Sequence, residues 1–184
     1  EIFNYLELRK ELEKDGITFT STSDTEVLLN LYIREKEECL QKLNGFFSFC
    51  IYDKQEQTFF VARDRYGIKP LLYLFDEDKF LFGSEMKAII EYGIDKEIDH
   101  ASLFTYLQLN YIPAPATIFS SVKKLMPGHY LKVSYKKIET HSYYTIPIEQ
   151  RATDSLNYDQ AKEKLKQLLE DSVQRRLISD VPLG

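Results

Sequence analysis

From Phe46 to Tyr52 nearly every position is apolar. That pattern does not fit the alternation of a strand with one wet face, and the run is too short and too aromatic for a core helix. It predicts a strand covered on both sides. A polar pause of hairpin length, Asp53-Lys54-Gln55-Glu56-Gln57, separates it from a second β-rich run, Thr58 to Ala62. The chain then changes character. Arg63-Asp64-Arg65-Tyr66-Gly67-Ile68-Lys69-Pro70 sets three cations and one carboxylate beside a glycine free to take φ > 0 and a proline that fixes its own φ. An ordered bend is expected there, with Arg63 and Asp64 as an ion pair holding it.

Upstream, Leu6, Leu8 and Leu12 among Glu and Lys predict a helix closed by Gly16. Ile17 to Thr20 reads as a short strand. Ser21 to Glu26 opens a second helix running to about Lys36 with Cys39 near its end, and Ser23 and Glu26 have the spacing of a capping box. Downstream, Leu71–Phe75 and Lys79–Phe82 form a hairpin, Glu85–Tyr92 a helix, and Asp99 caps a helix to about Leu109. His129–Tyr135 and Ile138–Tyr144 form a further hairpin around Lys136-Lys137. Ile146 to Leu156 has no period and is the candidate linker. Beyond it, Ala161, Leu165, Leu168, Leu169, Val173 and Leu177 recur at helical spacing, giving an amphipathic helix over Tyr158–Ile178.

Several of these stretches are specific enough to carry a resemblance. ARDRYGIKPLLY followed by GSEMKAI, then Tyr111-Ile112-Pro113-Ala114-Pro115-Ala116-Thr117-Ile118 and Lys124-Leu125-Met126-Pro127-Gly128-His129-Tyr130-Leu131, resemble the glutaminase domain of class II glutamine amidotransferases. Within that group they are most similar to the glutamine-hydrolysing asparagine synthetases, because the YxPxPxTI and KLxPGHYL stretches are not expected in relatives with sugar-phosphate acceptors. The resemblance implies an α+β fold: an incomplete αββα sandwich of the N-terminal-nucleophile hydrolase type, then a linker and the first helix of an ATP-pyrophosphatase-type α/β synthetase domain. The implied boundaries are 1–145 for the glutaminase, 146–156 for the linker and 157–184 for the start of the synthetase domain.

The resemblance also assigns residues. Glu1-Ile2-Phe3-Asn4-Tyr5 is similar to the end of an Asn-Gly-Glu-Ile-Tyr-Asn motif, and Thr22-Ser23-Asp24 to Gly-Ser-Asp, whose Asp holds the α-ammonium of glutamine. Glu1 and Asp24 are thus the expected glutamine-binding residues. The bland reading of Asp24, a carboxylate placed favourably at a helix N-terminus, is compatible with that role. No catalytic, cofactor-binding or metal-binding residue is expected. The family's nucleophile is an N-terminal Cys whose own amine is the base, whereas this sequence opens on Glu1, in a helical pattern and without Met. It ends on Ser179-Asp180-Val181-Pro182-Leu183-Gly184, which in the family leads into a glycine-rich ATP loop. Flanking sequence is therefore expected on both sides, and the chain alone is expected to be inactive.

Composition narrows the remaining classes. With 184 residues, 43% hydrophobic and 29% charged, the chain can bury about 70% of its unfolded surface, so a sizeable core is expected. The net charge of −5 gives no general attraction to nucleic acid or to an anionic membrane. No apolar run approaches the roughly 20 residues of a membrane-spanning helix. Two cysteines make neither a disulfide framework nor a zinc site, and Cys50 lies among Phe47, Phe49 and Ile51 without the stabilisation a reactive thiolate needs. His100, His129 and His141 have no ligand spacing. The expected compartment is the cytoplasm. The expected partners are small molecules, glutamine, aspartate and ATP, with Mg2+ in the full-length enzyme and a homodimer as the candidate assembly. The rival readings are a synthetase-like relative with a non-catalytic glutaminase scaffold, as in β-lactam-forming synthetases, and a non-enzymatic interaction module.

Overall fold

The computed structural model describes residues 1–76, 78–147 and 156–177. The chain forms two units, Glu1–Gly45 with Ile146–Gly184, and Phe46–Thr145.

The first unit is helical. Helix α1, Tyr5–Lys14, buries Leu8 and Leu12. Gly16, at φ +86°, closes it: Gly16 N–H donates to Glu13 O at 3.0 Å and Ile17 N–H to Leu12 O at 3.1 Å, the paired bonds of a Schellman cap. Helix α2, Asp24–Glu35, buries Val27, Leu28, Leu31 and Tyr32, one face of a 3.6-residue repeat. Arg34 joins α2 to α1 through Glu11 at 2.8 Å and Asp15 at 2.5 Å. Lys42 joins Glu11 and Glu35 at 2.9 and 2.7 Å. These half-exposed pairs orient the helices more than they stabilise them.

The second helix ends where expected, because Lys36 turns to φ 52° and its N–H closes on Tyr32 O. A 3-10 turn, Lys36–Glu38, and the short helix α3, Cys39–Lys42, follow. One expectation fails in this stretch: Ile17–Thr20 is not a strand. Its first amide belongs to the α1 cap, and the Thr20 amide is taken by a carboxylate instead of a neighbouring strand.

The second unit is built on two sheets. Strands β1 (Ser48–Asp53), β2 (Thr58–Arg63), β6 (His129–Ser134) and β7 (Lys137–Ser142) form a four-stranded antiparallel sheet in the order β1-β2-β6-β7. Strands β3 (Leu72–Phe75), β4 (Phe80–Gly83) and β5 (Lys123–Lys124) form a three-stranded sheet in the order β4-β3-β5. Alternation along β3 sets the layers. Tyr73 and Phe75 pack with Val61, Leu131 and Val133 of the other sheet, while Leu72 and Leu74 turn to the opposite side and pack with Ile89 of helix α4, Met86–Glu91. Helix α5, His100–Leu109, is capped by Asp99, whose carboxylate accepts from Ala101 N–H at 3.0 Å and Ser102 Oγ at 2.8 Å.

The first hairpin forms as expected, with Asp53 opposite Thr58, and Asp53 Oδ1 holds its turn through the Gln55 and Glu56 amides. Burial is distributed differently from expectation. Strand β1 lies at the edge of its sheet and none of Ser48–Tyr52 is fully buried, whereas interior β2 buries Phe60, Val61 and Ala62 at 1% exposure or less. Helix α6, Tyr158–Arg176, begins with a capping box between Asn157 and Gln160 and has no buried residue. Residues 148–155 of the 146–156 linker and all of Ser179–Gly184 lie outside the described residues. Among the described residues no helix is long and apolar enough to cross a membrane.

Candidate functional site

The first five residues are laid against the end of α3. Ile2 bridges Gly45 in antiparallel fashion, Phe3 N–H donates to Asn44 O at 2.7 Å, and the Asn4 amide accepts from Asn44 N–H and donates to Lys42 O. Gly45 is required for this approach: a Cβ there would lie 2.3 Å from Glu1 O and 2.8 Å from Ile2 Cα. Asp24 reaches the same segment. Its Oδ2 accepts the Ile2 N–H at 3.0 Å. The two residues expected to bind glutamine, Glu1 and Asp24, are thereby brought together, through the peptide that joins Glu1 to Ile2.

Asp24 is the first residue of α2 and does not cap it. Ser23 does, its hydroxyl accepting from Thr25 N–H at 3.0 Å. Besides Ile2, the Asp24 carboxylate has a long contact, 3.4 Å, from the Thr25 hydroxyl to Oδ1. A carboxylate offers about four acceptor sites, so capacity remains for a cationic donor, at a helix end whose dipole favours negative charge.

Sequence reasoning missed the residue that holds the loop leading to Asp24. Glu26, at capping-box spacing from Ser23, passes over the cap while Ser23 satisfies the helix end. Its Oε1 accepts from Thr20 N–H and hydroxyl at 2.8 and 3.0 Å, and its Oε2 from Ser21 N–H and hydroxyl at 2.7 and 2.5 Å. These donors, the Ser21 hydroxyl foremost, hold the Glu26 carboxyl at about 2. The Ser/Thr run before the helix was the available signal, since it supplies a hydroxyl beside each amide.

Neither thiol has the environment of a nucleophile. Burial, with Glu35, Glu37 and Glu38 near it, pushes Cys39 up to about 12, and burial pushes Cys50 up to about 11. Among the described residues no group of three His, Cys, Asp or Glu converges as a metal site would require.

The stretches that carry the resemblance meet in the second unit, and the bend is not held by an ion pair. Asp64, 1% exposed, accepts the amides of Tyr66, Ile68 and Lys69 at 2.9–3.1 Å. Arg63 donates to the carbonyls of Lys69, Gly67 and Leu125 at 2.5–2.7 Å. Opposite charges side by side still favour each other, but what fixes the bend is charge-assisted bonding to main chain. The Pro127-Gly128 turn docks on it: Gly128 N–H donates to Asp64 O at 2.9 Å, and Leu125 N–H to Leu71 O at 2.9 Å. In the Tyr111–Ile118 stretch the Ala114–Pro115 bond is cis, and Lys124 reaches Ile112 O.

The α+β fold is that of the N-terminal-nucleophile amidotransferases among solved structures. The glutamine phosphoribosylpyrophosphate amidotransferase of B. subtilis, solved with ADP and GMP, matches 79% of this chain and 28% of its own with a TM-score of 0.57 at 22% identity. Residues 1–144 match the model of the glutamine amidotransferase domain, and the chain belongs to that family. It is similar over its whole length to asparagine synthetase [glutamine-hydrolyzing] 3 of Bacillus subtilis, at 40% identity, and to a putative asparagine synthetase [glutamine-hydrolyzing] of Methanocaldococcus jannaschii, at 36%. The chain spans 30% and 36% of the length of those two relatives.

Proposed function

We propose that this chain is the glutamine-binding part of a glutamine-hydrolysing asparagine synthetase, with Asp24 pairing with the α-ammonium of glutamine and Glu1 lining the same pocket. The observation that supports it is the 3.0 Å bond from Ile2 N–H to Asp24 Oδ2, which joins the two motif residues at one point. An ammonium beside a carboxylate forms a charge-assisted bond, and a carboxylate already anchored to main chain meets it without losing rotamer freedom on binding. The reading assigns residues 1–145 to the glutaminase, 146–156 to a linker and 157–184, with α6, to the start of a synthetase domain. The whole protein then hydrolyses glutamine to glutamate and ammonia, and uses ATP with Mg2+ to convert aspartate to asparagine. The reading assigns none of the described residues to ATP or Mg2+.

The test is a product assay on the full-length protein with aspartate, Mg-ATP and either glutamine or ammonium. Asparagine from both nitrogen sources, with glutamate released only from glutamine, is expected. Asparagine from ammonium alone would replace this reading by that of a glutaminase domain kept as scaffold. No product from either source would reject the enzyme.

A further inference from the structure

Glu26 is bound to the loop that precedes α2 by four hydrogen bonds, all to Thr20 and Ser21. The Ser21 hydroxyl in turn takes the Ser23 N–H at 3.3 Å. On its other side the loop is held by Arg9 of α1, which donates to Ser21 O at 2.7 Å and lies over the Phe19 ring at 4.5 Å. The loop therefore has a fixed path into Ser23 and Asp24 although Thr20 to Ser23 make no strand. A Glu at the third helical position ordinarily reaches the N-cap amide. Here both oxygens lie two and three residues further back, so the carboxylate clamps the loop and not the helix end.

We infer that Glu26 is a positioning residue for glutamine binding: by clamping Thr20 and Ser21 it sets the point from which Asp24 meets both Ile2 and the ligand ammonium. The inference rests on the role proposed for Asp24. A displacement of an ångström at a binding carboxylate costs heavily because the charge-assisted bond is short and directional. The Glu26 carboxyl, held at about 2 by the Ser21 hydroxyl and the Thr20 amide, stays charged across the range in which the enzyme would work. An amide side chain cannot replace it, since one of its two ends donates, and would face the N–H and hydroxyl of one partner residue.

The test uses the full-length protein and four variants, Glu26→Gln, Ser21→Ala, Asp24→Asn and the double variant Asp24→Asn/Glu26→Gln. Glu26→Gln is expected to raise the glutamine KM by about tenfold with a smaller change in kcat, and to leave ammonia-dependent synthesis at wild-type rate. Ser21→Ala, which keeps the carboxylate, shifts KM in the same direction by less. The double variant is expected to lose little beyond Asp24→Asn, because Glu26 acts through Asp24. An effect of Asp24→Asn with an unchanged KM in Glu26→Gln overturns the inference and leaves the Asp24 reading standing. Additive losses overturn it too. If Asp24→Asn has no effect, the glutamine-site reading fails first, and the clamp is judged by amide exchange: Thr20 and Ser21 amides that exchange no faster in Glu26→Gln than in wild type overturn it on its own ground. Should Glu26→Gln fail the ammonia control, Ser21→Ala carries the same comparison.

Discussion

Ile2 and Asp24, 22 residues apart, are joined by a 3.0 Å bond from the Ile2 amide to Asp24 Oδ2. The contact separates two functions of one carboxylate. Asn in place of Asp still accepts the Ile2 N–H but carries no charge for an ammonium. Asp24→Asn is therefore expected to fold normally and to lose roughly 10- to 150-fold in glutamine-dependent kcat/KM, the equivalent of a hydrogen bond to a charged group of about 1.5–3 kcal/mol. Asp24→Ala also releases the Ile2 amide and should lose more. Near wild-type glutamine kinetics in Asp24→Asn, with the ammonia reaction intact, would remove Asp24 from the ligand site.

Asp64 predicts a stability effect in the other unit. Three amides converge on a carboxylate that is 1% exposed. Asp64→Asn places an NH2 group against at least one of those amides, leaving a buried donor without an acceptor. A loss of about 1–3 kcal/mol is expected in urea unfolding, with an unchanged m-value. A cost under 0.5 kcal/mol would show that the bend is held by Arg63 alone.

Two glycines offer a matched comparison. Gly16 and Gly128 both sit at positive φ, but a Cβ on Gly16 meets nothing within 4 Å, while one on Gly128 would lie 2.5 Å from Tyr144 O. Gly16→Ala should cost only the left-handed backbone penalty, about 1–2 kcal/mol. Gly128→Ala must also move backbone, and is expected to cost at least 1 kcal/mol more and to disturb the Tyr66–Tyr144 hydroxyl contact. Equal losses would mean that the turn yields freely.

The strongest sequence signals were those in which one residue's physical need dictates one conformation. The glycine that closes α1, the Asp99 cap and the β1/β2 hairpin are of that kind, as were the long stretches that identify the family. Partner choice was not legible. The Ser23/Glu26 spacing fits a capping box, yet spacing cannot say which of several nearby amides a flexible carboxylate prefers. Arg63 beside Asp64 reads as a pair for the same reason, although main-chain partners win both. Strand β5 is two lysines long and has no period to detect; it exists because Leu72 and Tyr73 offer an open ladder. The burial of β2 over β1 depends on sheet order, which follows from β6 pairing 70 residues downstream.

The thiols should be silent at neutral pH. Cys39 is fully buried and its thiol is pushed up to about 12; that of half-buried Cys50 is pushed up to about 11. Because the folded chain holds these protons more tightly than the unfolded one, their contribution to stability is complete below about pH 9 and is lost as pH rises toward 11–12. Iodoacetamide at pH 8 is expected to label neither cysteine in the folded chain and both in urea. Rapid labelling of Cys50 without denaturant would show that the β1 edge opens locally.

Helix α6 presents Leu165, Leu168, Leu169, Val173 and Leu177 at 57–59% exposure, an apolar face on a helix of 19 residues. Its described links to the rest of its unit are peripheral: Arg175 lies 3.8 Å from Glu7, and the Arg176 guanidinium sits 4.9 Å from the Phe3 ring. Such contacts contribute a few tenths to about 1 kcal/mol each, and a helix of this length is marginal in water on propensity alone. In the 184-residue chain the α6 amides should therefore exchange far faster than those of Phe60–Ala62 in β2, where every side chain is buried. If α6 belongs to a synthetase domain, the full-length protein covers its apolar face and slows exchange there by orders of magnitude without changing β2. Protection of α6 equal to that of β2 in the 184-residue chain would place the helix in the glutaminase and reject a boundary at residues 146–156.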